Sequence, residues 1–468
     1  MCKETKTPKK PSLAYAIITL VSLIAFVVIC YSLLKIPIMI ALLFSWLVLG
    51  AFALGLGYTM KEIEKAITEM IKIGVGLFAL LLAVGCMISM LLAGGTVPTL
   101  VLWGLKIITP KIFLGVAFTL CAVVGLATGT SWGTTSTIGV AMMGVGLGLQ
   151  IPAPMIAGAV LSGSCLGTIC SPVSDGPLLS ATVCNIDILR HCKHLISVAL
   201  PAFIVSLIGF LILGATKATG TYDPTAINEI IAAIEGNFKT GIIPLIPLIV
   251  IVVLLIMRKP ATTAILIGAL IGAGITVCYQ GYSIADVGAY LASGFKVSTG
   301  NSILDPILNR GGVSSMLNLI ATVVASLGIG GIMKDCGTMD VIVEALHKKV
   351  RTRAGITTVA LLGNTICDLM VSTNYFATVI NNTMLCPLYK QLGYAPENCS
   401  RINSFLAVII LDFFPWTLGA VFATSTLGVP TQEYFPYMFF FFAAAFIVLL
   451  YGYTGWFMKK LDPNEDNG

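Results

Sequence analysis

Charge is scarce in this sequence of 468 residues: Asp, Glu, Lys and Arg make up 10% of it, against about 25% in ordinary globular chains. With 57% hydrophobic residues and a mean hydropathy of +0.97, that deficit excludes a water-soluble fold. Histidine is nearly missing, with 3 residues. The 13 cysteines form no CxxC pair and no Cys/His group at metal-ligand spacing. Most of them lie in apolar runs, where a thiol behaves as a small hydrophobe. His191-Cys192-Lys193-His194 reads as a basic flank beside a helix start. There is no nucleophile–base pair and no phosphate loop, and Gly328-Ile-Gly-Gly lies in an apolar helix where packing explains it. The sequence therefore gives no ground for an enzyme, a cofactor or a resident metal. The net charge of +6 is scattered over loops and helix ends, which speaks against a nucleic-acid partner.

What is abundant is apolar length. About 20 apolar residues cross the hydrocarbon core as a helix, and runs of that order occur at 13–34, 37–57, 73–93, 195–213, 241–257, 261–278, 314–333 and 434–457. Shorter, interrupted segments lie between them, including an arm after Gly94-Gly95 that is too short to span. The expectation is an all-α polytopic membrane protein of about 10–13 membrane segments, with broken helices and re-entrant pieces. Lys3, Lys6, Lys9 and Lys10 precede a first run too long for a signal-peptide core. The run should be retained as the first helix, with the N-terminus in the cytoplasm of a cell (plasma or inner) membrane. Lys61 and Lys65, Arg190 and Lys193, Arg258 and Lys259, and the cluster Lys348, Lys349, Arg351 and Arg353 then share the cytoplasmic side.

The stretch from Gly125 to Asp175 organises the chain. Thr128, Thr130, Ser131, Thr134, Thr135, Ser136 and Thr137 crowd hydroxyls between apolar runs, and Gly129, Gly133 and Pro172 mark breaks. Irregular backbone at membrane depth survives only where protein or a water-filled cavity surrounds it. Transporters build midplane ion sites from such discontinuous helices; a small-residue packing interface is the alternative. The pattern recurs about 242 residues later: Gly95-Thr96 matches Gly337-Thr338, and Thr119 to Ile138 lies over Leu361 to Ile380, whose polar interruption holds Ser372, Thr373, Asn374 and Thr378. Together with the flanking charges, this suggests two inverted halves, 1–215 and 216–468, in one membrane domain.

Three acidic residues fall at membrane depth: Asp175, Asp368 and Asp412. A carboxylate there is costly and marks an ion or proton site. Asp175 before Gly176-Pro177 also fits a helix cap, and Arg401 is a candidate partner for one of the acids.

At these residues the sequence resembles the NhaC-type sodium/proton antiporter family, which includes malate/lactate exchangers. The matching pieces are Gly95-Thr-Val-Pro-Thr, Thr128-Gly-Thr-Ser-Trp-Gly-Thr with Thr137-Ile-Gly, Ser171-Pro-Val-Ser-Asp175, Arg310-Gly-Gly, Ser315-Met316, Ser400-Arg401 and Pro415-Trp416. It departs where Thr168, Thr373 and the Ser404-Phe405 pair stand in place of family carboxylates, and where Asp368 stands at a position more usually Asn. The resemblance implies a secondary antiporter that exchanges sodium for protons or a small organic ion by alternating access. The alternative is a sodium- or proton-coupled symporter or exchanger of a small carboxylate or amino acid; a channel is a third class. The expected ion-binding residues are Thr128, Thr130, Ser131, Thr134, Thr135, Ser171, Asp175, Asp368, Thr373, Asn374 and Asp412, supported by Arg401, Trp132 and Trp416. The expected partners are the transported sodium or proton, a small organic anion or amino acid, and the lipid bilayer, with homo-oligomerisation left open.

Overall fold

Every regular element among the described residues is a helix, as a chain of apolar runs with few charges requires when backbone groups must be satisfied within each segment. The computed structural model describes residues 9–107, 109–217, 224–301, 304–347, 350, 352–371 and 373–461. Lys3, Lys6, Lys348, Lys349, Arg351 and Ser372, singled out above, lie outside them. The first half holds α1 (Leu13–Val28), α2 (Ile38–Gly55), α3 (Met60–Ile73), α4 (Val75–Ala93), α5 (Thr96–Ile107), α6 (Pro110–Thr128), α7 (Ser131–Thr134), α8 (Val140–Gly148), α9 (Ala153–Cys170), α10 (Asp175–Val183) and α11 (Ile188–Lys217). Then come α12 (Pro224–Asn237), α13 (Ile246–Ile256), α14 (Ala261–Ile275), α15 (Ile284–Ser293) and α16 (Leu304–Leu308). The chain closes with α17 (Val313–Asp335), α18 (Thr338–His347), α19 (Arg353–Val371), α20 (Asn374–Gln391), α21 (Pro396–Leu411), α22 (Leu418–Leu427), α23 (Thr431–Tyr434) and α24 (Phe439–Thr454).

Among the described residues, eight helices are long and apolar enough to cross a membrane, and α23 to α24, bent by 60°, adds a ninth. The run 241–257 falls short of the span its hydropathy suggested. Pro244 and Pro247 confine it to a 3₁₀ turn at Ile243–Leu245 followed by α13, only 11 residues long. Amphipathic α3 starts on a capping box in which Thr59 and Glu62 bond reciprocally.

The decisive feature is a reversal where sequence suggested a break within a spanning helix. α6 does not continue into α7. Gly129 takes a left-handed φ of +72°, and the chain turns back so that Phe113, near the start of α6, packs against Gly146, near the end of α8. The residues 131–148 form one continuous return arm, with a π-helical stretch at Thr135–Gly139 and no break at Gly133. The same reversal joins α19 to α20, where Gly363 and Cys367 face Asn381 across the hairpin. α9 and α21 are each interrupted instead. Ser171 leaves α9 in extended backbone before Pro172, and α21 stops at Asp412 ahead of Pro415.

The two sets of elements keep a nearly constant spacing. α6 and α19 begin at Pro110 and Arg353, α9 and α21 at Ala153 and Pro396, α10 and α22 at Asp175 and Leu418, each pair 243 residues apart. Thr130 and Thr373 cap the return arms with φ/ψ of −135°/123° and −136°/127°. The first hairpin has its base at the C-terminal end of α11, where Gly214 packs on Lys111. The second has its base at the C-terminal end of α24, where Arg353 donates to the Tyr453 carbonyl at 2.9 Å. That end of the bundle also carries the N-terminus of α11, held through Glu397, which pairs with Arg190 at 2.5 Å and Lys459 at 3.0 Å. The hairpins thus enter from opposite ends.

Candidate ion and substrate site

The first hairpin tip rests on the α9–α10 break. A Cβ at Gly129 would stand 2.8 Å from Val173 Cγ2 and 3.2 Å from the Ser174 nitrogen, and the Ser171 hydroxyl donates to the Leu126 carbonyl at 2.8 Å. Glycine is needed there both for its φ and for its lack of a side chain. Most of the hydroxyls serve local backbone. Thr130 Oγ1 accepts from the Gly133 N–H at 3.2 Å, Thr134 donates to the Thr130 carbonyl at 2.8 Å, and Thr137 donates to the Gly133 carbonyl at 2.6 Å. Thr128 and Thr134 face each other at 3.2 Å. The Thr134 and Thr137 protons are therefore spent on helix carbonyls, which leaves the lone pairs of those two oxygens free. Thr135 is buried beside them and Ser131 half-buried.

The second tip carries different chemistry. Thr373 Oγ1 accepts from the Phe376 N–H at 3.4 Å, and Asn374 opens α20. Asp368, fully buried in the last turns of α19, has no hydrogen-bond partner among the described residues on either carboxylate oxygen. Asn364 lies one turn earlier on the same face, and its Oδ1, like Asn381 Oδ1 on the facing arm, is also unpartnered. Buried acceptors without donors are costly, and a proton or a small cation is what would satisfy them. Asp412 closes α21 with its carboxylate against Gly419 at the start of α22, and lies within electrostatic reach of Asp368.

The halves touch through their tips. Trp132, on the first return arm, stacks on Phe422 of α22 with ring centres 5.1 Å apart. Tyr375, at the start of the second arm, sets its hydroxyl beside Asp175, the exposed first residue of α10. Trp132 and Tyr375 are themselves 243 residues apart. Arg401 goes elsewhere: it donates to Ser197 Oγ at 3.1 Å and the Phe457 carbonyl at 2.9 Å, and lies over the Tyr451 ring. Trp416 packs on Phe414, at 5.5 Å between ring centres.

A buried amide relay escaped the sequence reading. Asn364 donates to Asn403, Asn403 to Asn382 and Asn382 to Ser180, each at 2.8 Å, and Ser180 reaches the Ser400 carbonyl at 3.2 Å. His191 is fully buried against Ser400 and Ser404 rather than on a solvated flank. The available signal was four asparagines, at 364, 381, 382 and 403, within largely apolar helices, where polar side chains mark inward faces.

Comparison with known proteins gives this arrangement a family. The Na+/H+ antiporter family matches residues 4–216 and 183–456. The malate-2H(+)/Na(+)-lactate antiporter of Bacillus subtilis (strain 168) is 33% identical over 458 residues, 97% of this chain and 98% of that protein. The Na(+)/H(+) antiporter NhaC of Alkalihalophilus pseudofirmus is 30% identical, over 96% of each chain. The arginine/ornithine antiporter ArcD of Halobacterium salinarum is 31% identical, over 98% of this chain and 95% of that one. The chain belongs to the Na+/H+ antiporter family. It is a multi-pass membrane protein and a secondary antiporter, and the family is one of transporters.

In this antiporter a cavity of about 960 Å³ opens at the end of the bundle opposite Glu397. Its walls are the outer turns of α4, α8 and α17, the end of α22 and the loops at 293–298 and 309–311. Lys296 and Arg310 line it, and no Asp or Glu does among the described residues. Arg310 donates to the Pro306 and Leu427 carbonyls at 3.1 and 3.2 Å. Nearby, the backbone N–H and hydroxyl of Thr299 bond Asp305 at 2.8 and 2.6 Å, and so hold its carboxyl below the usual carboxylate range.

Proposed function

We propose that this antiporter exchanges a small organic carboxylate against sodium and protons, the cation and proton being carried at Asp368 and Asp412 and the carboxylate entering through the 960 Å³ cavity. The observation that carries the reading is the charge of that cavity: two cationic side chains and no acid among its described lining. A cleft of one sign concentrates ligands of the other sign. An anionic substrate is drawn in there, and a cationic amino acid, the cargo of the arginine/ornithine relative, is repelled. The malate and lactate named for the Bacillus subtilis relative fit this sign.

Alternating access then proceeds between two inverted halves, with the N-terminus and the Glu397 end in the cytoplasm and the cavity outside. Protons and sodium compete for the buried acceptors around Asp368. The hydroxyl-bearing tip at Thr128, Thr130, Ser131, Thr134 and Thr135 and the break at Ser171 and Asp175 complete the path. A second reading, sodium/proton exchange with no organic substrate, is favoured by the paired acids alone and by the relative named NhaC.

The test is exchange in proteoliposomes. Internal malate or lactate should accelerate sodium uptake, Lys296→Ala with Arg310→Ala should weaken apparent affinity for the anion, and arginine should give no exchange. Sodium/proton exchange of full speed without any organic anion would establish the second reading instead.

A further inference from the structure

Near the Glu397 end, away from the acids, three thiols converge. Cys184 ends α10 in the first half; Cys386 on α20 and Cys399 on α21 belong to the second. All three are buried, and their sulfurs lie within 4.8 Å of one another. The Cys184 and Cys386 sulfurs are 2.8 Å apart. Asn382 Oδ1 and Asn403 Nδ2 each stand 3.5 Å from Cys399 Sγ, so one amide accepts from the thiol and the other can donate to a thiolate. No function has been assigned to this group above, and sequence gave no hint of it because the three positions are 202 and 13 residues apart.

We propose that Cys184, Cys386 and Cys399 form a binding site for a soft monovalent metal ion of the Cu(I) class, and that the bound ion ties the first half to the second. Three sulfurs about 2.3 Å from one ion lie about 4 Å apart, inside the observed spread, and the Cys184–Cys386 pair opens by about 1 Å to admit it. Each thiol that ligates gives up its proton, so the metal displaces up to three protons and no electron is transferred. Thiolate ligands select soft ions. Zinc prefers four ligands in a closed site, and among the described residues no histidine or carboxylate joins the three sulfurs. Lys390 lies close to Cys386 and offsets part of the charge of the resulting anionic cluster, and the nearby Glu397 carboxylate is neutralised by its pairs with Arg190 and Lys459. This effect rests on the proposed alternating access, in which α10 moves with the first half relative to α20 and α21; an ion shared by all three opposes that motion.

The test uses the full-length protein in detergent, anaerobic and reduced, titrated with Cu(I) against a chromophoric Cu(I) chelator. Wild type should retain one ion per chain at least about 100-fold more tightly than Cys399→Ser or Cys184→Ser, while Cys278→Ser matches wild type. In proteoliposomes Cu(I) should block exchange, chelator should restore it, and Cys399→Ser should be insensitive. Should a cysteine variant fail to fold, X-ray absorption on the wild type decides: three sulfurs at about 2.3 Å support the site. Two-sulfur linear coordination, equal retention by Cys399→Ser, or a Cys184–Cys386 disulfide that holds no copper would overturn it.

Discussion

The first hairpin carries threonines at its tip where the second carries an aspartate and asparagines near its own, on arms whose caps have matching backbone angles. Thr130 and Thr373 cap with angles within a few degrees of each other, and Trp132 and Tyr375 occupy corresponding places. Yet the first tip spends its hydroxyls on its own carbonyls, while the second leaves Asp368, Asn364 and Asn381 oxygens without donors. Gly125, which corresponds to Asp368, sits where a Cβ would stand 3.0 Å from the Ser164 carbonyl and 3.3 Å from Gly167, so any side chain there is crowded by α9. Similar hinges thus frame different chemistry, and under the proposed function the first half positions while the second carries the exchanged charge.

That division is tested most strongly at Asp368. Asp368→Asn keeps the shape and removes the titrating group, so sodium- or proton-driven exchange should drop by about 100-fold, roughly 2.7 kcal/mol in the barrier. The yield of folded protein should hold, because an uncompensated buried charge is lost. Thr135→Val, in the first tip, should cost less than about tenfold. Initial rates in proteoliposomes, normalised to folded protein, compare the two; equal losses would mean that both tips share the chemistry.

Next comes Asp412, the second acid of the same half. Sodium and protons competing for one carboxylate make apparent sodium affinity fall as pH falls, since protonation removes the site. Asp412→Asn should flatten that dependence. Asp175→Asn, which alters the first half's contact with Tyr375, should slow exchange and leave the pH profile intact. If sodium affinity tracks pH equally in wild type and Asp412→Asn, the carrier role passes to Asp368 alone.

The sequence revealed the membrane class and the two polar stretches, because hydropathy and glycine or proline breaks are local signals, but it aligned those stretches at 242 residues where the helix starts stand 243 apart. It did not reveal that the chain reverses at Gly129 and again between α19 and α20. A left-handed glycine and a kink look alike until Phe113 is seen to meet Gly146. Nor did it reveal that Arg401 serves Ser197 and Phe457 instead of an aspartate. That pairing depends on α11 and the C-terminal segment, which lie some two hundred and some fifty residues away in sequence. The amide relay was missed because asparagine carries no charge to stand out against an apolar run.

Gly129→Ala probes the hinge itself. Alanine at φ +72° meets Val173 and Ser174, and a non-glycine residue in that region costs about 1–2 kcal/mol before any clash. The melting temperature should drop and exchange should fall with it, while Gly133→Ala, inside the return arm, should be milder in its effect on backbone strain. Thermal unfolding in detergent distinguishes the two.

The smallest effect is the most direct test of the comparison, because it removes the same interaction from both copies. Thr130→Ala deletes an acceptor for the Gly133 N–H, and Thr373→Ala deletes one for the Phe376 N–H. Loss of such a cap costs about 1 kcal/mol, and the matching backbone angles predict that the two costs agree within the error of the measurement. Stability should therefore respond equally, as a paired drop in melting temperature. Transport should not. Thr373 stands in the tip that holds Asp368, so its loss loosens the titrating end and should shift the pH dependence of exchange. Thr130→Ala should lower the rate with no such shift. Thr130→Ser and Thr373→Ser retain the hydroxyl and should restore both. Equal stability losses with equal pH shifts would show that the first tip also takes part in proton coupling, and the asymmetry drawn from the unpartnered oxygens would then be one of side-chain type alone.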